Sequence, residues 1–150
     1  MYTVRLLNMS FNHEDSFCYV LLHRQIFPES MYSYNTFHWY HNSLFSSPVR
    51  TYGLFDNNKL VGFWSVEPRI LNKQCVGRAF ATAIHPDYRK RGLFSMLSEQ
   101  AIISEKIKKQ YEYILGFPTV DKDVIKSHLK VGWYFVDDLF TYCISTNKIQ

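Results

Sequence analysis

Hydrophobic positions along this chain change period several times, and each change marks a structural element. TVRLLN, residues 3–8, opens with a short strand-like run. HEDSFCYVLLHRQIF then places acidic residues at its start and Phe17, Val20 and Leu21 on a helical spacing, which predicts a first helix. FPESMYSYNTFHWYHNSLF is aromatic and polar by turns, and reads as a loop around Pro28 leading into a short second helix bounded by Pro48. In VRTYGLFDNNKLVGFWSVEPRIL, two apolar, aromatic-rich runs flank the turn residues DNNK and predict an antiparallel hairpin.

CVGRAFATAI continues as a strand whose alternation sorts a bulky face (Val76, Arg78, Phe80, Thr82, Ile84) from a small one (Gly77, Ala79, Ala81, Ala83). A small face admits a close neighbour, either a packed helix or a ligand. From Leu93 the 3.6-residue period is strong, with Leu93, Met96, Leu97, Ala101, Ile103 and Ile107 on one side and Ser95, Ser98, Glu99, Glu105, Lys106 and Lys109 on the other. YEYILGF is a short strand, and DKDVIKSHLKVGW reads as a helix with acidic residues in its first turn and Gly132 at its stop. A strand pair from Trp133 to Ile144 closes the order β, α, α, β, β, β, α, β, α, β, β. That order predicts an α/β fold, a mixed and mostly antiparallel sheet with helices on both faces.

The chain has 150 residues, 47% hydrophobic and 17% aromatic, enough for one domain with a full core, and no linker or repeat divides it. Seventeen Lys and Arg against thirteen Asp and Glu give +4, a lean towards anionic ligands well short of a dedicated nucleic-acid binder. Cys18, Cys75 and Cys143 are far apart and form no C-x-x-C, so a reduced, cytoplasmic setting fits better than a disulfide or thiolate-zinc framework. Neither a signal-peptide pattern nor an apolar run of the roughly 18 residues a membrane span needs is apparent. The expectation is a soluble protein with no membrane partner.

Chemistry concentrates in IHPDYRKRGLFSML, residues 84–97, where Arg89, Lys90 and Arg91 abut Gly92 at a helix start. A helix N-terminus leaves backbone N–H groups unpaired and carries about half a positive charge, so such a turn can hold phosphate oxygens. Gly92 allows close approach, and the three cations add mobile counter-charge, with arginine able to fork onto two oxygens. A solvated helix start would show the same charge run. Neither G-x-x-x-x-G-K-[ST] nor G-x-G-x-x-G occurs among the six glycines, which sets aside P-loop and Rossmann chemistry.

The arrangement of strand, H-P-x-Y-R-x-x-G-L-F-S-x-L and amphipathic helix resembles the acetyl-CoA-binding motif of the GNAT N-acetyltransferases, whose usual core is Q/R-x-x-G-x-G/A. Here Lys90 stands where the family commonly has glycine, and Phe94 where it has glycine or alanine. The G-[IL]-F-S form of the turn is similar to that of members acetylating amino sugars. LGFP followed by a helix ending K-V-G-W resembles the second half of such enzymes, and FHWYHNSLF with the VGFW hairpin the first, so the likeness spans nearly the whole chain. It implies acetyl-CoA as cofactor, with the pantetheine arm on backbone groups of Thr82, Ala83 and Ile84. The pyrophosphate would lie on the amides from Arg91 to Ser95, making Arg89, Lys90, Arg91, Gly92, Leu93, Phe94 and Ser95 the binding turn.

Acyl transfer to an amine needs a neutral nucleophile, a donor for the developing oxyanion and a proton for the departing thiolate. The resemblance implies backbone N–H groups near Ile84 for the second need. For the third, the family often presents a tyrosine four residues before the glycine ending its last helix, a place held here by His128. Histidine can carry that proton near neutral pH, although a packed surface histidine would read the same way. Glu67 and His41 are candidate bases, and water suffices for an amine of low pKa. His38 and His41 have an i, i+3 spacing but no acidic or thiolate partner nearby, so no metal is implied.

The acceptor should meet residues 28–45, where Tyr32, Tyr34, Phe37, Trp39 and Tyr40 can stack on a sugar or flat ring. The sequence thus favours acetyl transfer to a small-molecule amine, an amino sugar first, nucleotide-linked or free, by a monomer or homodimer. The competing reading is an inactive CoA-binding or nucleic-acid-binding module using Arg89–Arg91; nucleic acid is not the favoured partner.

Overall fold

A computed structural model describes residues 1–30, 33–43, 49–108, 111, 113–117 and 122–134. The strands are β1 (Tyr2–Leu6), β2 (Arg50–Asp56), β3 (Lys59–Leu71), β4 (Gln74–Ile84) and β5 (Ile114–Gly116). The helices are α1 (Glu14–Ile26), α2 (Tyr34–Ser43), α3 (Leu93–Lys108) and α4 (Lys122–Lys130). Among the described residues the sheet runs β1-β2-β3-β4-β5, antiparallel until β5, which lies parallel to β4. The expected closing strand pair falls almost entirely outside the described residues.

Short polar turns set the register. Asn57 takes a left-handed φ of 52° between β2 and β3, and Asn72 and Lys73, at 49° and 67°, make the two-residue turn between β3 and β4. That second turn brings Glu67 directly opposite Arg78.

One sheet face packs on α1 and α2 through Tyr19, Val20, Leu22, Phe37, Phe63 and Ala83. The other packs on α3 through Leu54, Val61, Trp64, Val66, Ile84, Leu93, Leu97 and Ala101. Fully buried Trp64, Tyr19 and Phe63 are the largest of these side chains, and removing such a side chain from water stabilises by roughly 1.5–3 kcal/mol.

Three facing expectations are corrected. In α1, Phe17 and Leu21 are exposed while Asp15, Ser16, Tyr19, Val20 and Leu22 are buried. Asp15 is buried because Arg5 grips it at 2.7 and 2.6 Å and the Asn8 amide donates to it at 2.8 Å. The arginine bonds outweigh burial and hold this carboxyl below its usual range.

In α3, Ile103 is half exposed, while Ser98 and Glu105 are buried beside Leu97 and Ala101. At 100° per residue Ile103 stands 200° from Ala101, whereas Leu97, Ala101 and Glu105 form one i, i+4 row. Glu105 is tolerated inside because Arg50 Nε donates to it at 2.6 Å and the Tyr52 hydroxyl donates as well.

In β4 the bulky and small faces do not persist. Phe63 pairs with Ala83 but Ser65 pairs with Phe80, so β4 carries one extra residue there. Ala81 absorbs it at a φ of 44°. Ala81 and Ala83 then pack on the α1 side, while Ala79 and Ile84 pack on the α3 side.

Candidate functional site

After β4 the chain makes a 3-10 turn, Pro86–Tyr88, with the His85 side chain accepting from the Asp87 amide. Lys90 and Gly92 follow in the left-handed region at 61° and 74°, and α3 begins at Leu93. The Gly92 carbonyl accepts from Met96, so Gly92 caps the helix and the Leu93, Phe94 and Ser95 amides lie in its unpaired first turn. A Cβ built on Gly92 would meet nothing within 4 Å, so the helix end is open to an approaching group. Lys90 adopts without glycine the left-handed turn the family often gives to glycine, with its side chain exposed.

The arginines are less mobile than expected. Arg89 Nε donates to the Ile84 carbonyl at 3.1 Å, and Arg91 donates to the Asp87 carbonyl at 2.8 Å, its guanidinium 5.3 Å from the Tyr88 ring centroid. Two of the three cations are thereby fixed onto the turn's own backbone instead of swinging free. Both remain exposed and brace the turn while keeping donors for an anion.

Beside the turn lies an unfinished sheet edge. β5 pairs with β4 only from Gly77 to Ala79, and beyond this β4 has no described neighbour on that side. The His85 amide donates to the Val61 carbonyl at 2.8 Å, which commits His85 and, by alternation, Ala83 to β3. Ile84 therefore turns its N–H and C=O to the open side, where its carbonyl receives Arg89. Of Thr82, Ala83 and Ile84, all expected to meet a pantetheine arm, Ala83 has its backbone spent on Phe63.

His128 lies near the end of α4, which closes through Gly132 at a φ of 90°. Its ring is 5.0 Å from that of Phe94 and 5.5 Å, edge on, from that of Trp133. Phe94, bulk where the family has glycine or alanine, thus points towards α4 and supports the histidine. Nδ1 lies 2.8 Å from the Val124 carbonyl. A carbonyl only accepts, so Nδ1 carries the hydrogen and Nε2 is left to exchange a proton. Tyr134, a nearby alternative donor, is 74% exposed.

Across the sheet, a cavity of about 150 Å³ lies between α1, α2 and β4, lined by Tyr19, Phe37, Tyr40, His41, Phe80 and Arg78 among others. Glu67, fully buried, is bound by Arg69 and Arg78 at 2.5 Å each and accepts a hydrogen bond from Tyr40. Burial first and that bond second push the Tyr40 phenol up to about 12. The carboxylate offered as a base therefore has both oxygens engaged. His41 is 2% exposed, its ring 3.9 Å from that of Phe37, and burial holds it neutral by driving its pKa down to about 3. So weak a base is poorly suited to take a proton from an ammonium.

Of the five aromatics expected at the acceptor, Phe37 and Tyr40 line this cavity. Tyr34 instead stacks on Phe17 and accepts from the Asn12 amide, Trp39 is exposed, and Tyr32 lies outside the described residues. Sequence reasoning missed Arg78, Arg69 and the bulge. The two-residue turn at Asn72–Lys73 was the available signal, since it fixes Glu67 against Arg78. Among the described residues no group of three or more potential ligands could hold a metal, and no helix is long and apolar enough to cross a membrane.

Residues 9–133 match the profile of the Acetyltransferase (GNAT) family. Comparison with curated protein sequences gives no significant match. Among solved structures, an aminoglycoside acetyltransferase from an uncultured soil metagenomic sample, in complex with sisomicin, superimposes with a TM-score of 0.77 at 12% identity, covering 96% of this chain and 95% of that one. A predicted acetyltransferase with acetyl-CoA from Clostridium acetobutylicum gives 0.67 at 14% identity, covering 93% and 94%. A ribosomal-protein-alanine N-acetyltransferase from Brucella melitensis biovar Abortus 2308 gives 0.68 at 16% identity, covering 96% and 98%. At such identities the likeness establishes the fold alone, and the named acceptors range from an aminoglycoside to a protein.

Proposed function

Because this chain belongs to the GNAT acetyltransferase family and is an acetyl-CoA-dependent N-acetyltransferase, we propose that it acetylates the amine of a small molecule, with an amino sugar, free or nucleotide-linked, as the favoured acceptor. The observation that carries the reading is the pairing of an open helix start at Gly92 with an unfinished strand edge at Ile84. One end of that groove suits a diphosphate and the other an extended chain of amides.

In this proposal the Leu93, Phe94 and Ser95 amides hold the pyrophosphate, with Arg89, Lys90 and Arg91 around it, and Thr82 and Ile84 border the arm. Bound acetyl-CoA supplies an activated acetyl thioester. The Ile84 N–H, on the open side of β4, is placed to stabilise negative charge developing on a carbonyl oxygen. His128, protonated at Nε2 while Nδ1 stays on Val124, has one proton to give to a leaving thiolate. Glu67 acts as a positioning residue that fixes Arg78 and Tyr40; an acceptor entering as the free amine needs no protein base to attack, and the proton its nitrogen sheds on forming the amide passes to water, from which His128 regains the one it gives.

The amino-sugar reading draws on the aromatic walls of the cavity and on the aminoglycoside ligand of one structural neighbour. It is tested by following thiol release from acetyl-CoA with a panel of amino sugars, amino acids and peptides. Turnover of amino sugars above the others supports it; turnover confined to peptides refutes it.

A further inference from the structure

α4 ends in a way that carries a ring back onto its own histidine. Gly132, at a φ of 90°, turns the chain so that its amide donates to the Leu129 carbonyl at 3.1 Å and the Trp133 amide to the His128 carbonyl at 3.3 Å. This pair of bonds closes a helix on glycine and folds the residue after the glycine over the last turn. The Trp133 ring therefore rests edge-on to the His128 ring, centroids 5.5 Å apart. The contact follows from the local spacing H-x-x-x-G-W at residues 128–133.

A helix end alone would leave that indole free to swing, and a second contact stops it. Its six-membered half lies on Gly116 of β5, so closely that a Cβ built there would stand 2.7 Å from Cζ3 and 3.1 Å from Cη2. Gly116 is outside the left-handed region that Gly92 and Gly132 occupy, so its backbone does not call for glycine; the ring above it does. Gly116 pairs with Ala79 at the last described rung between β4 and β5, which seats the indole where those strands stop pairing. The imidazole is thus held by three elements: α4 through the Val124 carbonyl on Nδ1, α3 through Phe94, and β5 through Trp133.

Resting on the proposal that His128 gives the proton, we infer that Trp133 is a positioning residue for that transfer, its indole seated on Gly116 tying the imidazole to β5. The indole touches no reacting atom. It limits rotation of the imidazole, which keeps the hydrogen on Nδ1 and holds Nε2 in one place as its proton passes to the sulfur and the carbon–sulfur bond breaks. Transfer depends steeply on placement, since a displacement of about 1 Å can cost about 10²-fold in rate.

The test uses the full chain saturated with CoA. In Gly116→Ala the new methyl forces the indole back by roughly 0.8 Å, to the about 3.5 Å of ordinary carbon contact. With the fastest acceptor of the panel above, kcat should fall about tenfold while acceptor KM and CoA affinity stay nearly constant. In ¹⁵N spectra at about pH 8.5, where a histidine is neutral, the single Nδ1–H form of His128 should give way to a mixture of tautomers. Trp133→Phe, which only shrinks the ring, should act in the same direction and keeps the test open if Gly116→Ala unfolds. Combining the two, so that the methyl fills the space the smaller ring leaves, should recover part of kcat and of the Nδ1–H signal relative to either change alone. An unchanged kcat, a lowered kcat with the tautomer intact, or an equal effect of Trp133→Phe in a His128→Ala background would each overturn the inference. The two readings fail separately. A normal rate in His128→Ala refutes the proton donor even where the tautomers shift, whereas a slow His128→Ala beside unaltered Gly116 and Trp133 variants keeps the donor and refutes the positioning role.

Discussion

His128 and Phe94 meet ring to ring at 5.0 Å, so the first turn of α3 and the last turn of α4 are joined through one aromatic contact. The residue that departs most from the GNAT turn therefore orients the histidine proposed to carry the proton. His128→Ala should lower kcat by about 10² to 10⁴ while leaving CoA affinity nearly intact, and His128→Tyr should recover part of the loss. Steady-state kinetics with CoA calorimetry checks this, with Tm measured alongside. A normal rate in His128→Ala would reduce the histidine to packing.

Gly92→Val should weaken CoA binding severely in a protein that still folds. The built Cβ meets no protein atom, so harm to the fold is limited to the branched residue's strain at a φ of 74°. On the ligand side the same branch fills the space an approaching phosphate needs. Circular dichroism and CoA titration separate the two effects, and unchanged affinity would exclude the turn as the diphosphate site.

Glu67→Gln should destabilise the protein, because two guanidinium groups lose their shared anion. Removing one partner of a fully buried pair costs about 3–5 kcal/mol; with arginines 37% and 38% exposed, on the order of 2 kcal/mol is expected. That corresponds to a fall in Tm of roughly 4–8 °C. A positioning role predicts a raised acceptor KM with kcat changed little. A drop in kcat of about 10² or more at constant KM would show instead that Glu67 takes part in proton transfer.

Acid should weaken the fold well above the range where carboxylates titrate. His41 is buried neutral with its pKa down to about 3, so below its unfolded value of 6.5 the unfolded chain binds a proton that the folded chain refuses. Stability from this group is fully present above pH 6.5 and declines as pH falls towards 3. By about 1.4 kcal/mol per pH unit, the loss between pH 6.5 and 5 is about 2 kcal/mol. His23, also lowered by burial, adds in the same direction. Thermal melts from pH 7 to 5 should show a falling Tm, with a smaller fall in His41→Phe.

Much of this architecture was legible in the chain because local patterns agree with the final packing. The hairpin around Asn57, the helix begun at Leu93 and the Gly92 turn are each written in neighbouring residues. What escaped was long-range. Phe17 is apolar yet stacks outward on Tyr34, and Asp15 is acidic yet buried because Arg5 waits on β1. Arg78 read as one member of a bulky strand face, and its value emerged only when the turn at Asn72–Lys73 placed it against Glu67. His41 was visible as a candidate base, but only its surrounding rings reveal a histidine that stays neutral.

The extra residue at Ala81 lets two consecutive side chains of β4, Phe80 and Ala81, line the same cavity wall. Removing one residue between Phe80 and Ala83 would straighten the strand, keep Phe63 opposite Ala83 and leave Ile84 towards α3, but take one side chain off that wall. A change of length at the bulge therefore reshapes the cavity wall while the residues beyond it, Ile84 among them, keep their sides.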